Sequence, residues 1–569
     1  MVSNLWEQKI LPLVLGAALV GAAGCGPDEA SPRVQVSLFG WGPNGEGGQG
    51  FVTGLPDYPG AQTVTVKVTQ PNDRRVLERS SFAFASRSAS LPDITYGERI
   101  RLDVEVFDAN NQLLAAGSTP MFTFEPGSPL RSFRAMVSPV GQAAPVGSLI
   151  LDSESDQTRL VQSAFDYRGE DRSWLGRIGH ESAATSEGEI LIVGGGSPTG
   201  FYQPFTTPSL TEVYDDIQVF SPVTGYFTSL AQDDASEAVG MIGRDKLAEP
   251  RAFHTVTALG EDRYLVAGGF TLRDGVARPV DTLELIDLNE PPGTRVRSII
   301  DFNGNPVRLN SPRAHHTATL RSSDGAVLIA GGIGREDQVL STFEVVNVRA
   351  AEVSLPIDMS SPRVGHSAVL LHDGQTVWVA GGRTRSQVLD SSELLVPAGA
   401  SSMSQPGVDL GRARYGASAR RVRSGGGDLV LMVGGFTSLS EGASASYELG
   451  RPLQDQWIAM SEQRMESARG VAAMVELPQT GDLLIVGGLD PDRQVVTSAE
   501  RLVFQGLSAI PPFAVEELGS LYQERYDFTA DVASNGQVLI TGGMSRENNN
   551  VARHDAEYFN AYDPVRPPL

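Results

Sequence analysis

The sequence predicts an all-β protein in which similar small sheets follow one another along most of the chain, after a targeting segment and a smaller β-domain. Three observations carry this prediction. Short apolar runs recur at regular intervals, stretches of alternating apolar and polar residues precede them, and turn-forming residues are spread along the whole chain, with 62 Gly and 35 Pro among 569 residues. Many short strands joined by turns have this composition. The length also exceeds what one hydrophobic core serves, so two or more domains are expected.

The first 24 residues have the pattern of a signal peptide. Lys9 precedes an apolar run from Ile10 to Ala23, and the run ends in Ala-Ala-Gly before Cys25. About fourteen apolar residues suit the core of a signal peptide and are short for a membrane span. We therefore expect residues 1–24 to be removed from the mature protein.

The small residues before Cys25 resemble the lipobox of bacterial lipoproteins. The resemblance implies cleavage before Cys25, acylation of this cysteine, and residues 25–31 as a lipidated tether. Gly26 stands where Asp would imply retention at the inner membrane, so the resemblance favours the outer membrane of a Gram-negative bacterium. Cys25 is also the only cysteine, so neither a disulfide nor a cysteine metal site is expected.

The charge balance limits the partners. Asp and Glu number 68 against 45 Lys and Arg, which gives a net charge of −23. Such a surface repels phosphate groups, so nucleic acid is excluded as the expected partner.

Residues 32–145 are predicted to form an immunoglobulin-like β-sandwich. Val64, Val66 and Val68 alternate with polar residues, and a second alternating run spans residues 99–106. A period of two indicates half-buried strands, and about 110 residues of such strands suit a sandwich. We expect this domain to act as a spacer, with a small-ligand site as the alternative, and residues 139–148 to act as a linker.

A pair of glycines after a short apolar run occurs seven times in the rest of the chain. The pairs are Gly194-Gly195, Gly268-Gly269, Gly331-Gly332, Gly381-Gly382, Gly434-Gly435, Gly487-Gly488 and Gly542-Gly543. An arginine precedes every pair by 17 to 20 residues: Arg177, Arg251, Arg313, Arg363, Arg414, Arg469 and Arg525. Four of these arginines begin Arg-x-x-His, which gives His180, His254, His316 and His366. Each unit therefore predicts strand, turn, strand, glycine pair, loop and strand, usually followed by a fourth strand.

This pattern resembles the Kelch repeat, in which Arg-x-x-His leads into an apolar run and Gly-Gly, followed by Tyr-Asp-Pro and Trp. Tyr562-Asp563-Pro564 and Trp457 match the later elements, which most repeats lack. The resemblance implies a seven-bladed β-propeller over residues 149–569, because each small sheet must bury its faces against its neighbours. The last repeat ends close to Leu569, so we expect residues 149–165 to supply its fourth strand and close the ring.

The recurring charged residues are interpreted as structural. A carboxylate follows six of the glycine pairs: Glu284, Glu344, Glu393, Glu448, Glu500 and Glu557, with Gln218 in the first repeat. A catalytic residue is needed once, so seven copies favour arginine–carboxylate pairs that tie the sheets together, with ligand contact as the alternative. The repeat histidines are likewise expected to be strand residues and not metal ligands. Asp301-x-Asn303-x-Asn305 is a weak match to a calcium loop, because no Glu follows at the twelfth position.

No catalytic residues, metal site or cofactor are predicted. Kelch-type oxidases of the galactose oxidase kind build a copper site on a Tyr–Cys crosslink, and the single Cys25 is the lipidation candidate. The Asp boxes of sialidases are absent from the sequence, and no nucleophile–base pair stands at an informative spacing.

Unequal repeat length indicates a binding face. Successive arginines lie 74, 62, 50, 51, 55 and 56 residues apart, so the first two repeats carry insertions. The candidate ligand-binding residues on these insertions are Phe201, Tyr202, Phe205, Tyr214, Asp233 and Asp234. Exposed aromatic residues on a rigid scaffold suit a protein or glycan ligand, and self-packed loops are the alternative. The expected function is therefore a cell-surface or outer-membrane lipoprotein with a binding propeller; the alternative is a carbohydrate-active enzyme on the same face. The oligomeric state is left open.

Overall fold

The computed structural model describes most of the chain from residue 176 onward and parts of the N-terminal third. The described residues are 14–16, 34–43, 49–53, 58–70, 76–85, 99–119, 121–123, 131–145, 148–152, 157–161, 176–200, 202–222, 226–231, 245–398, 401–422, 429–440, 442–478, 480–546, 552–553 and 555–562. Within these ranges no helix is long and apolar enough to cross a bilayer. Cys25 and the proposed tether lie outside them.

The N-terminal strands join into one nine-stranded sheet. The strands are Val14–Gly16, Val34–Pro43, Gln49–Thr53, Ala61–Thr69, Val76–Ala83, Arg99–Asp108, Leu113–Ser118, Phe122–Thr123 and Arg131–Pro139. The pairing is antiparallel except between Val34–Pro43 and Arg131–Pro139, which run parallel. Val64, Val66 and Val68 are at most 1% exposed in the core of this sheet, as expected for one face. The expectation of half-buried strands is wrong, because Thr65 and Thr69 are also buried and residues 100–106 are buried throughout.

The polar face of this sheet is also covered. Glu105 is fully buried, where it accepts hydrogen bonds from Lys67 Nζ (2.5 Å) and from the Tyr562 hydroxyl (2.8 Å). The Asn560 amide donates to the carbonyl oxygens of Ala116 (3.0 Å) and Ser138 (2.9 Å). The N-terminal sheet therefore contacts the C-terminal end of the chain through polar groups with hydrogen-bond partners.

Seven antiparallel sheets of four or five strands make up the described part of the repeat region, and we number them repeat sheets 1 to 7 in chain order. Sheets 1 to 3 contain Glu181–Ala184, Ile190–Val193, Ile217–Ser221 and Tyr226–Ser229; Thr255–Gly260, Arg263–Ala267, Leu283–Asp287 and Val296–Ser298; and Thr317–Leu320, Val327–Ala330, Thr342–Asn347, Glu352–Val353 and Ile357–Asp358. Sheets 4 and 5 contain Ser367–Leu370, Val377–Ala380, Ser392–Ala398 and Ser401–Pro406; and Ser418–Val422, Leu429–Val433, Ser446–Arg451 and Gln456–Arg464. Sheets 6 and 7 contain Ala473–Glu476, Leu483–Val486, Ser498–Phe504 and Phe513–Ser520; and Thr529–Val532, Val538–Thr541, Ala556–Phe559 and Ala143–Pro145.

Smaller elements complete the described structure. Two hairpins directly follow the glycine pairs of the first two repeats: Gly196–Pro198 with Leu210–Val213, and Phe270–Arg273 with Val276–Pro279. A further hairpin pairs Ser148–Asp152 with Gln157–Val161, and two 3-10 turns span Arg335–Asp337 and Pro452–Gln454.

The first strands of the repeat sheets surround a common axis. Each contacts the first strand of the next sheet, and Thr529–Val532 of sheet 7 contacts Glu181–Ala184 of sheet 1. The buried second strands pack between neighbouring sheets, as Leu191 of sheet 1 and Val266 of sheet 2 do in one cluster. This is the architecture of a β-propeller.

The strand that closes the ring is Ala143–Pro145. It pairs antiparallel with Ala556–Phe559, with Ala143 opposite Phe559. The expectation that residues 149–165 supply this strand is wrong, as is the interpretation of residues 139–148 as a linker. The more apolar run after residue 148 forms the separate hairpin with Gln157–Val161, whereas the small side chains of Ala143 and Ala144 fit a buried edge.

Six of the seven repeat arginines, all but Arg525, bond to their own repeat and to the preceding one in the described structure. The Arg363 side chain donates to the Gly381 carbonyl (2.9 Å) and to Glu393 Oε1 (2.5 Å) within its own sheet. Its backbone N–H donates to the Leu340 carbonyl of the preceding repeat (3.1 Å). The guanidinium is fully buried, which lowers its pKa, and the Glu393 carboxylate counteracts that effect. The predicted carboxylate pairs are thus present, but they lie inside each sheet.

The tie between sheets is made by the main chain. In six of the repeats the second glycine of the pair donates its N–H to the carbonyl of the next arginine at 2.8–3.0 Å; the bonds run from Gly195, Gly269, Gly332, Gly382, Gly435 and Gly543 to Arg251, Arg313, Arg363, Arg414, Arg469 and Arg177. A Cβ added to Gly331 would lie 2.4 Å from the Arg363 carbonyl oxygen, so the close approach requires glycine there.

The first repeat uses a different carboxylate. Arg177 pairs with Asp216 at 3.0 Å, and Gln218, at the position of the usual glutamate, donates to the same Asp216 oxygen (3.1 Å). The arginine keeps an anionic partner although the recurring position lost its charge.

Candidate functional site

A ring of seven residues surrounds one end of the axial channel. Each stands two positions after a repeat arginine and two positions before the start of the innermost strand: Gly179, Phe253, His315, Gly365, Gly416, Val471 and Asp527. All seven have left-handed backbone angles, with φ between 50° and 65°. Val471 is an unusual residue for that conformation because its β-branched side chain is crowded there. We call this ring the collar.

Hydrogen bonds link neighbouring members of the collar. Phe253 N–H donates to the Gly179 carbonyl (2.6 Å), and His315 N–H donates to the Phe253 carbonyl (3.1 Å). The same arrangement joins Gly416 to Gly365 and Val471 to Gly416. The left-handed backbone angles accompany these contacts, and four of the seven links between collar neighbours are hydrogen-bonded in the described structure.

The first insertion closes this end of the channel. The Tyr202 hydroxyl contacts His315 Nε2 at 3.1 Å and accepts a hydrogen bond from Phe205 N–H (3.1 Å). Arg383 donates to the Phe205 carbonyl (2.6 Å), and the Tyr526 hydroxyl donates to the Tyr202 carbonyl (3.0 Å). We call residues 202–209 the cap, because they reach collar-side groups of several repeats.

The aromatic residues of the predicted site do not form an exposed patch. Tyr202 is 3% exposed and Tyr214 is fully buried, so the expected exposure is wrong for both. Phe205 is partly buried, with its ring 5.7 Å from His315 and 6.2 Å from Tyr415. Collar glycines leave space over the channel, and the cap fills it, which is the self-packed alternative. Phe201, Asp233 and Asp234 lie outside the described residues, so their predicted role stays a prediction.

Three of the four repeat histidines bond across to the preceding sheet. His316 Nε2 lies 3.0 Å from Thr255 Oγ1, His366 Nε2 lies 2.9 Å from Thr317 Oγ1, and His180 Nε2 lies 3.0 Å from Thr529 Oγ1. Burial lowers the pKa of His180 and of His366 to about 3. These rings are neutral at physiological pH and serve as structural strand residues.

The segment from Asp301 to Asn305, which weakly matches a calcium loop, forms a turn. Asp301 Oδ1 accepts the backbone N–H groups of Asn303 (2.9 Å) and Asn305 (2.8 Å). Phe302 at its tip is 97% exposed, an aromatic side chain that the sequence analysis did not single out.

Below the cap the channel contains a cavity of about 400 Å³ with an acidic wall. Glu181 of sheet 1 and Asp527 and Asp531 of sheet 7 line it, and Asp531 accepts a hydrogen bond from the Ser182 hydroxyl. Burial, together with Asp531 and Asp527, raises the pKa of Glu181 to about 8. Burial alone raises the pKa of Asp527 to about 7.

One residue of this acidic wall could have been noticed in the sequence. Glu181 occupies the position that is Thr255, Thr317 and Thr529 in other repeats, directly after the repeat histidine or its equivalent. An acidic residue at a position that is otherwise a small hydroxyl residue marks the first repeat as different. Asp531 gave no such signal, since its position varies from repeat to repeat.

Replacing Glu181 by Gln is expected to change how stability depends on pH. The folded-state pKa of about 8 is above the value of about 4.3 for an unfolded glutamate, so the folded state binds more protons between these values and stability falls as pH rises. Near pH 4 the variant should match the wild type; at pH 9 it should be more stable by about 2 kcal/mol, allowing for solvent in the channel. Urea unfolding at pH 4, 7 and 9 measures this, and a pH-independent difference would contradict it.

Comparison with known proteins supports the repeat type. No family model matches the chain. Over 108 residues the chain is 31% identical to an F-box/kelch-repeat protein of Arabidopsis thaliana, a match that covers 19% of this chain and 22% of that protein. The chain thus spans about a fifth of that relative's length. Together with the sheet arrangement, this match supports Kelch-type repeats in a β-propeller.

Two solved structures are similar at low identity. YjhT has a TM-score of 0.39 and 12% identity, covering 60% of this chain and all of that one. A fungal alcohol oxidase of the AA5 family, solved in complex with copper, has a TM-score of 0.47 and 14% identity, covering 69% of this chain and 77% of that one.

Proposed function

We propose that the protein is an extracytoplasmic, lipid-anchored binding protein whose seven-bladed Kelch-type propeller presents a face to a protein or glycan ligand. In this proposal Cys25 carries the lipid anchor in the outer membrane, and an immunoglobulin-like domain holds the propeller away from the bilayer. The proposal makes residues 1–24 the signal peptide and residues 25–31 the tether, so the edge strand Val14–Gly16 would be absent from the mature chain.

One observation carries the binding role: the extra elements of the first two repeats lie at the collar end of the ring, where the first of them carries the cap. The hairpins that begin at Gly196 and Phe270 directly follow glycine pairs, and the turn bearing Phe302 lies between the last strand of sheet 2 and Arg313. Propellers commonly bind through loops that are longer than those of the other repeats. The rigid scaffold holds these loops in place before binding, which reduces the entropy lost when the ligand binds.

The binding role is tested with the soluble Cys25→Ser chain on glycan arrays and against extracellular protein extracts. A ligand found in this way should bind Phe302→Ser at least tenfold more weakly, because an exposed aromatic side chain is a typical anchor. Leu355→Ser is the matched control, since Leu355 is 79% exposed in the connection between two outer strands of sheet 3. Equal loss in both variants, or no binding partner at all, would contradict the role. Release of a product from a glycan would instead favour the enzyme alternative.

The anchor is tested independently. The wild-type chain should incorporate a labelled fatty acid and partition into detergent, because several acyl chains anchor a protein almost permanently. Cys25→Ser should lose the label and remain in the aqueous phase. A wild-type chain without label would contradict the proposed lipidation.

A further inference from the structure

We propose that the capped end of the axial channel binds a small organic ammonium ion. The binding elements are the acidic wall of Glu181, Asp527 and Asp531 and the aromatic side chains above it. This site lies beneath the cap, at the same end of the ring as the loops discussed above, but either proposal can hold without the other.

His254 supplies an observation independent of the carboxylates. Its side chain is 1% exposed and lines the cavity, and neither ring nitrogen has a hydrogen-bond partner among the described residues. In the neighbouring repeats the equivalent histidines bond to a threonine, but the residue facing His254 at that position is Glu181. A buried polar group without a partner costs free energy, so a donor inside the cavity would stabilise it. Burial lowers the pKa of His254, so its ring is neutral and one ring nitrogen can accept a hydrogen bond.

Among the described residues no basic group acts on the carboxylates of Glu181 and Asp527. Asp527 Oδ2 has no hydrogen-bond partner in the described structure. Burial raises the pKa of Asp531, and Arg420 of sheet 5 opposes that effect, but Arg420 donates its Nε–H to the Met474 carbonyl (2.9 Å). The other titratable groups that line the cavity are five histidines, and burial lowers the pKa of each, so all are neutral: His180, His254, His315, His316 and His366. A bound cation would therefore compensate charge that the fold leaves uncompensated.

Size and shape favour an organic cation. Among the described residues no three His, Cys, Asp or Glu side chains gather closely enough to hold a metal ion. The cavity of about 400 Å³ has room for a head group with several carbon atoms. Phe205 and Phe253 line the same cavity, and aromatic rings beside carboxylates are a typical environment for an ammonium group.

Binding is expected to tighten as pH rises. The cation requires ionised carboxylates, and the raised pKa values of Glu181, about 8, and of Asp527, about 7, place their ionisation between pH 6 and 9. An alkyl ammonium ion keeps its charge over that range, so the carboxylates alone set the pH dependence.

Isothermal titration calorimetry on the full-length chain tests the site with putrescine and choline as probes. Butane-1,4-diol and 3,3-dimethylbutan-1-ol are their neutral counterparts, and magnesium chloride tests for a metal. We expect one of the two cations to bind, at least tenfold more tightly at pH 8.5 than at pH 6, and neither neutral analogue to bind. Comparing the two cations distinguishes a primary from a quaternary ammonium ligand.

Three variants localise the binding. Glu181→Gln and Asp531→Asn should each weaken cation binding at least tenfold, whereas Glu352→Gln, an exposed glutamate on the outer edge of sheet 3, should bind like the wild type. Circular dichroism shows whether each variant is folded. Because Glu181→Gln and Asp531→Asn are both near-isosteric, the second still tests the site if the first does not fold. Equal binding of a neutral analogue, binding of magnesium instead, unchanged affinity in both wall variants, or no binding would overturn the proposal.

Discussion

Replacing Arg363 by Met is expected to lower the free energy of unfolding by about 3–5 kcal/mol, because it leaves a buried carboxylate without its cation. Arg363 is fully buried and bonds to Glu393 (2.5 Å) and to the carbonyls of Gly381 (2.9 Å) and Ser391 (3.2 Å). Methionine fills the volume but supplies no donor to any of these oxygens. Equilibrium unfolding in urea measures the loss.

A double-mutant cycle separates the pair from the rest of the site. Glu393→Gln alone should be destabilising, and the combined Arg363→Met/Glu393→Gln variant should lose less than the two single changes together. Arg349→Met is the matched control, because Arg349 is exposed, and it should change stability by less than about 0.5 kcal/mol. If Arg363→Met proves as stable as this control, the arginine does not hold its sheet together.

Introducing a charge into the closing strand is the second large effect that we expect. Ala144 is 1% exposed and lies opposite Tyr558 in sheet 7. A glutamate there must either be buried without a partner or displace the strand, at a cost of about 3 kcal/mol or more. Displacement would leave the outer edge of Ala556–Phe559 free to pair with another chain. Ala144→Glu should therefore melt several degrees lower and form oligomers, as measured by calorimetry and light scattering.

The control for this variant places the same charge on an exposed residue. Ala350 lies in an exposed turn of sheet 3, so Ala350→Glu should melt with the wild type and stay in the same oligomeric state. Identical behaviour of the two variants would show that residues 143–145 do not close the ring.

The repeat architecture could be predicted from sequence because each sheet repeats the same local requirements. The Gly331-Gly332 pair is required by an approach of backbone to backbone, and Arg363 by a buried carboxylate, so both recur in register. The closing strand had no such signal. Ala143–Pro145 is short and weakly apolar, and only its pairing with the distant Ala556–Phe559 makes it a strand.

The channel was harder to predict than the fold. Tyr202 and Phe205 were predicted to be exposed ligand-binding residues, but an aromatic insertion can either face solvent or fill a space, and composition does not distinguish these cases. The space exists because the collar residues Gly179, Gly365 and Gly416 carry no side chains, which is a property of the assembled ring. Glu181 occupies a position that is a small residue in the other repeats. Its place in an acidic wall depends on Asp531, which is 350 residues away in sequence.

In the closed ring, the sheet at the C-terminal end of the chain is completed by a strand from before the first repeat. A protease site inserted between Ser148–Asp152 and Gln157–Val161 allows the folded chain to be cut after that strand. The N-terminal fragment should stay bound to the remainder during gel filtration and separate only in denaturant, and Ala144→Glu should release it. Separation of the fragment from the cut wild-type chain under native conditions would contradict the closed ring.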